Sequence, residues 1–175
     1  MGAIGSRITK ILKNGFNADV SYYNRTKKDE LEDKLNITYL PLDTLLKESD
    51  VIFLAITENK STWDFIHQKQ LNLMKNTAIL INPARPRLIN PNELYDALMN
   101  HEIKACAMDG YYTNSKEDIY GLLNLDDSVF ICSSDTACRT TDAWNKTDEI
   151  AFKNINDFFK TGTSENIVNL EDIKK

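Results

Sequence analysis

Two histidines, His67 and His101, are all that 175 residues contain, and so few exclude a histidine-rich metal centre. The cysteines Cys106, Cys132 and Cys138 are odd in number and lack a paired C-x-x-C spacing. Neither a disulfide framework nor a zinc site is therefore indicated, and the cytoplasm is the default compartment. No apolar run approaches the roughly 20 residues that a bilayer span requires, and the amino-terminal stretch lacks a signal-peptide layout. Positive charge is not in excess. With 21 Lys and Arg against 26 Asp and Glu, the net charge of −5 argues against a general affinity for nucleic acid or for anionic membranes. Internal repeats and low-complexity tracts are also missing. What is present is ordinary for a globular chain: 42% hydrophobic and 27% charged residues, in a length suited to one domain with a real core.

Strand and helix patterns alternate along the chain. Ile4, Ile8, Ile11 and Leu12 recur at helical spacing and predict an amphipathic helix ending near Asn14-Gly15. Val20 to Tyr23 reads as a strand of β-formers, Glu30 to Leu35 as a short polar helix, and Ile37 to Leu40 as an edge-like strand. Pro41 to Lys47 reads as a helical turn burying Leu42, Leu45 and Leu46. Val51 to Ala55 and Ala78 to Ile81 are continuous apolar runs, expected for strands covered on both faces. Trp63 to Met74 reads as broken helix. Asn90-Pro91-Asn92-Glu93 opens another helix with a capping residue and a proline. Ala105 to Met108 and Val129 to Cys132 read as further strands, and a last long helix runs from about Thr141 to Lys160, where Gly162 stops it. This alternation implies a parallel sheet with helices on both faces and ligands beyond the carboxyl ends of the strands.

Chemistry is concentrated at those ends. Gly2-Ala3-Ile4-Gly5 has the spacing of the second and third glycines of a G-x-G-x-x-G dinucleotide loop, in which one lets the backbone approach a pyrophosphate and the other allows close helix packing. The residue ending the next strand, about 20 positions on, meets the adenosine ribose in such folds. A carboxylate there repels a 2′-phosphate. Asn24-Arg25-Thr26 removes that repulsion and offers a guanidinium suited to phosphate, so an NADP(H)-type pocket is expected, with NAD(H) possible.

After the strand Ala78–Ile81 comes Asn82-Pro83-Ala84-Arg85-Pro86-Arg87, and with it the chain resembles the cofactor-binding domain of the D-isomer-specific 2-hydroxyacid dehydrogenases. The resemblance takes in the glycine loop, Leu42-Asp43-Thr44-Leu45-Leu46-Lys47-Glu48-Ser49-Asp50-Val51 and Met74-Lys75-Asn76-Thr77-Ala78-Ile79-Leu80-Ile81-Asn82. It continues through Asn92-Glu93-Leu94-Tyr95-Asp96-Ala97-Leu98, Ala107-Met108-Asp109-Gly110-Tyr111 and Thr136-Ala137-Cys138-Arg139-Thr140. It implies that Arg85 holds the carboxylate of a 2-keto or 2-hydroxy acid and polarises its carbonyl. By the same resemblance, Asp109 helps to seat the nicotinamide, and Ala84 belongs to the cofactor site. Thr57 stands at the strand end that passes the cofactor, where the family more often has proline. A homodimer is also implied by the resemblance.

Two catalytic positions depart from the pattern. Active members of the family complete the site with a histidine acting as general acid and a glutamate that sets its protonation. The glutamate position is Asn114, followed by Ser115, and the T-P-H triplet that carries the histidine is Ser133-Ser134-Asp135. His67 and His101 lie elsewhere and read as surface residues; Glu117 or Asp118 replaces the glutamate only if the loop is shifted. Asp135 serves as a proton donor only if its pKa rises by about 2–3 units, and Asn114 cannot titrate.

The sequence therefore predicts an α/β chain: a Rossmann-like doubly wound parallel sheet that lacks its first central strand and most of the substrate domain. Residues 1–160 form the dinucleotide-binding domain, and 161–175 a tail that returns to the missing substrate domain. Met1 reads as the edge of a fragment or a late start, leaving the strands that end at Tyr23 and Ala55 without the partner expected between them. The function expected is that of a nicotinamide-binding oxidoreductase domain with altered acid–base residues. The alternative is a non-catalytic cofactor-binding or interaction module, a pseudoenzyme or one chain of a split protein.

Overall fold

The glycine loop opens directly into helix α1 (Ala3–Phe16) in the computed structural model, which describes residues 1–112 and 119–169. Gly2 occupies the N-cap in extended conformation, with no side chain capping the helix. The helix runs past Gly15 because Asn17 stops it instead. Asn17 takes the left-handed conformation (φ 51°), which asparagine tolerates better than most side chains; its N–H donates to the Lys13 carbonyl, and the Ala18 N–H to that of Leu12.

Strand β1 (Ser21–Tyr22), helix α2 (Asp29–Leu35), strand β2 (Thr38–Tyr39), helix α3 (Leu42–Glu48) and strand β3 (Val51–Phe53) follow in order. After them come helix α4 (Gln68–Leu71), strand β4 (Ile79–Asn82), helix α5 (Pro91–Met99), strand β5 (Ala105–Asp109), strand β6 (Phe130–Ser133) and helix α6 (Thr141–Thr161). The stretch expected to be broken helix contains only the single turn of α4. Ahead of it, Asn59 N donates to Thr62 Oγ1 at 2.8 Å and Ser61 N to Asn59 Oδ1 at 2.9 Å. Such local bonds offer the backbone an alternative to helix. Ile66 instead forms a parallel bridge with Ile89.

Among the described residues all strand pairs are parallel, as βαβ connections require. They form two sheets: β1 beside β2, and β3-β4-β5-β6 in that order. Ser21 faces Thr38 in the first; in the second, Ile52 faces Leu80, Leu80 faces Cys106, and Asp109 faces Ser133. The break falls between β1 and β3, the two strands expected to flank a common partner. Among the described residues, β1 has β2 as its only strand neighbour and β3 has only β4.

The core forms where one face of the larger sheet meets the helices. Leu80, Cys106, Met108 and Phe130 are buried in one cluster with Leu46, Leu71, Leu94 and Leu98. The apolar runs are not covered equally on both faces, contrary to expectation. Val51 remains 45% and Ile131 57% exposed, because the pleat sends alternate residues to opposite faces and only one set joins this cluster.

The contacts divide the chain into two compact units, Met1–Ser134 and Asp135–Lys175. In the second, Thr140 caps α6 by accepting from Ala143 N, and Gly162 (φ 73°) ends it. Residues 164–166 lie back along the helix, where Ser164 Oγ donates to Asn154 Oδ1 at 2.9 Å and Lys153 pairs with Glu165 at 3.1 Å.

Candidate active site

The first turn of α1 lies across the carboxyl ends of β1 and β3. The Met1 amino group donates to Asn24 Oδ1, beyond β1. A Cβ at Gly5 would stand 3.7 Å from the Cβ of Ala55, beyond β3, and 3.1 Å from Met1 Sδ. Gly5 therefore keeps the helix close to the strand end, the packing role expected of the last glycine in such a loop. At Gly2 an added Cβ would meet nothing within 4 Å. No acidic residue occupies the first turn. Amide N–H groups unused at a helix start, backed by the helix dipole, suit an anion.

Beyond β1, Asn24 Nδ2 donates to Thr26 O at 3.3 Å and so closes the Asn24-Arg25-Thr26 turn. Three cations follow each other closely there, but they are not equivalent. Lys27 pairs with Asp29 at 2.7 Å and with Glu32 at 3.3 Å, and hydrogen bonds to these carboxylates hold its pKa above the usual lysine value. Arg25 and Lys28 are exposed, and neither joins an ion pair among the described residues.

Thr57 is exposed after β3, and its carbonyl accepts from Thr62 Oγ1 at 2.8 Å. Beyond the neighbouring β4, Arg85 is exposed in extended conformation, its Nη1 donating to Ala84 O at 2.7 Å. The turn that carries it is organised by Asn82, only 1% exposed. Asn82 Oδ1 accepts from Ala84 N at 3.1 Å and Asn82 Nδ2 donates to Arg85 O at 2.8 Å. This organising role was not read from the sequence, although an asparagine between an apolar strand and a proline is a signal for such a turn. The Arg87 guanidinium lies 5.1 Å from the Trp63 ring centroid, and Asp64 N donates to Arg87 O at 2.8 Å. The loops beyond β3 and β4 are thus tied together.

Asp109 ends β5 and is half-buried. Its Oδ1 accepts from Ser133 Oγ at 2.5 Å across the β5–β6 register, a partnership also missed by the sequence reading. Gly110 follows with φ 95°, a conformation that favours glycine. Nearby, burial and then the Asp109 charge push the Cys132 thiol up, while burial strongly raises that of Cys106.

The first unit therefore places Asn24, Thr57, Arg85 and Asp109 at successive carboxyl ends of its strands. Asn114, with Ser115, Glu117 and Asp118, lies outside the described residues. Asp135 belongs to the second unit, where it adopts φ 57° and pairs with Arg139 at 3.4 Å. His67 and His101 are both exposed, His67 at the N-cap of α4 and His101 just beyond α5. Among the described residues no cluster of His, Cys, Asp and Glu could hold a metal, and no helix is long and apolar enough to cross a membrane.

Residues 1–132 match the family model described as the D-isomer specific 2-hydroxyacid dehydrogenase, NAD binding domain. The chain belongs to this family. It is 36% identical over 178 residues to a glyoxylate reductase of Pyrococcus horikoshii, covering 99% of this chain and 51% of that protein. A glyoxylate reductase of Thermococcus litoralis is 34% identical, with 96% and 50% covered. Among solved structures, the NAD-complexed D-isomer specific 2-hydroxyacid dehydrogenase of Lactobacillus delbrueckii ssp. bulgaricus superposes with a TM-score of 0.85 at 29% identity, covering 96% of this chain and 53% of the other. A glyoxylate reductase from Paecilomyes thermophila gives 0.87 at 27%, with 98% and 51% covered. The chain spans about half the length of the curated relatives it matches. Its fold is thus the Rossmann-like one of this family's NAD-binding domains, present in part.

Proposed function

We propose that this chain binds a nicotinamide dinucleotide, NADP(H) in preference to NAD(H), as the cofactor domain of a 2-hydroxyacid dehydrogenase. The observation that carries this reading is the uncapped start of α1 at the carboxyl ends of parallel strands, beside a ribose-end turn with Asn24 and Arg25 in place of a carboxylate. Gly2, Ala3, Ile4 and Gly5 present backbone amides to the pyrophosphate. Asn24, Arg25 and Thr26 receive the adenosine ribose and its 2′-phosphate, with Lys28 adding charge. Thr57 and Ala84 border the cofactor, and Asp109 orients the nicotinamide. When bound, the cofactor supplies or accepts hydride.

The exposed Arg85 guanidinium offers a fork for the carboxylate of a small 2-keto acid, in line with the glyoxylate reductases among the relatives. Asp135 and Asn114 stand in for the general acid and the glutamate, which leaves proton delivery weak. Residues 1–160 act as the dinucleotide-binding domain, with 161–175 returning toward the substrate domain. The protein works in the cytoplasm as a homodimer, without nucleic acid or membrane.

The two altered positions favour a second reading, a cofactor-binding module that does not turn over. NADPH oxidation assayed with glyoxylate and hydroxypyruvate separates the two. Turnover raised by Asp135→His together with Asn114→Glu supports a dehydrogenase with a decayed acid–base pair. Cofactor binding with no turnover in either form supports the module.

A further inference from the structure

We propose that Ser133 is a positioning residue for the nicotinamide end of the cofactor site, acting through the carboxylate of Asp109; this rests on the reading of Asp109 given above. The two residues face each other directly in the register of β5 and β6. Ser133 grips the end of β5 twice. Its carbonyl accepts from Gly110 N at 2.9 Å, and its hydroxyl reaches Asp109 Oδ1 at 2.5 Å and Met108 O at 3.3 Å.

A serine hydroxyl carries one proton to donate. The carboxylate at 2.5 Å takes it in preference to the neutral carbonyl at 3.3 Å, because a charged acceptor makes the shorter and stronger bond. That bond holds Oδ1 toward β6 and selects one orientation of the Asp109 side chain. Gly110 turns the backbone immediately afterwards, so the ladder partner is well placed to fix the carboxylate before the chain leaves the sheet. A half-buried carboxylate held in one orientation presents a fixed charge to a ligand and loses less side-chain freedom on binding.

The test compares NADPH with 2′-phospho-ADP-ribose, the same molecule without its nicotinamide, by titration calorimetry on the full chain. Asp109→Ala weakens NADPH about tenfold and leaves 2′-phospho-ADP-ribose unchanged. Ser133→Ala weakens NADPH alone by about fivefold, Ser133→Thr restores it, and the isosteric Ser133→Val does not. In the Asp109→Ala background, Ser133→Ala adds nothing further. A Ser133→Ala chain that binds NADPH like the parent, or weakens both ligands alike, overturns the positioning role, while an intact Asp109→Ala effect keeps the cofactor reading. No NADPH binding by the parent, or no effect of Asp109→Ala, overturns the reading itself.

Discussion

Asn82 donates to the carbonyl of Arg85 at 2.8 Å from a position only 1% exposed, so the turn that presents the candidate carboxylate-binding arginine hangs from a buried amide. Asn82→Ala leaves the Ala84 N–H and the Arg85 carbonyl without this partner, and is expected to cost about 1–3 kcal/mol. Asn82→Asp costs at least as much, since a carboxylate cannot donate and its charge would be buried. Thermal unfolding of both variants checks this, and a chain that melts like the parent contradicts it.

The proposed preference for NADP(H) rests on charge at one turn. Arg25→Asp replaces the candidate 2′-phosphate cation with a carboxylate that repels phosphate and accepts from a ribose hydroxyl. The expected outcome is at least a tenfold fall in NADPH affinity, with NADH affinity unchanged or improved. Calorimetry with both dinucleotides checks it; an equal loss for the two would contradict a 2′-phosphate contact, and no loss for either would place Arg25 outside the site.

Thiol reactivity should follow burial. Cys138 is exposed, Cys132 half-buried and Cys106 buried. A neutral thiol reagent is expected to modify Cys138 first and to reach Cys106 only on unfolding. Mass spectrometry of a timed reaction gives the order, and early labelling of Cys106 would contradict the described core.

The same burial predicts sensitivity to alkali. Burial pushes the Cys106 thiol well above the usual thiol range, so the folded chain keeps a proton that the unfolded chain releases. Its contribution is fully present below about pH 9 and falls as pH rises toward the folded value, by about 1.4 kcal/mol per pH unit. The buried Tyr112 phenol, also raised, adds to the loss at higher pH. Denaturant unfolding between pH 8 and 10.5 should show a shallower decline for Cys106→Ala than for the parent. Parallel slopes would remove Cys106 from the account.

Much of this arrangement was legible because periodic patterns carry it. Ala105 to Met108 alternates into the core as a strand should, and Asn90-Pro91 places the start of α5 through a capping bond to Glu93 N. The separation of β1 from β3 agrees with the edges expected at the strands ending at Tyr23 and Ala55. The turn chemistry of Asn59 and Thr62 was not legible, since side-chain bonds to nearby backbone leave no periodic trace and an apolar stretch then reads as helix. Asn82 and Ser133 were missed for another reason. Their roles depend on which backbone group or carboxylate the fold brings opposite them, and Ser133 meets Asp109 across 24 positions of sequence.

Exposed sheet edges also have a cost. Val51 stands 45% exposed on β3, whose far side pairs with no other strand among the described residues, and such edges promote self-association. Val51→Lys is expected to reduce concentration-dependent aggregation seen by light scattering. Unchanged aggregation would point to another surface, of which the exposed Trp144 and Phe159 on α6 are the next to test.

The central claim, that the start of α1 and the Asn24-Arg25-Thr26 turn form an NADP(H)-type site, is tested most directly by calorimetric titration of the parent chain with NADPH and with NADH. The account predicts saturable 1:1 binding with NADPH the tighter ligand. Equal or tighter binding of NADH contradicts the 2′-phosphate pocket, and binding of neither contradicts the site.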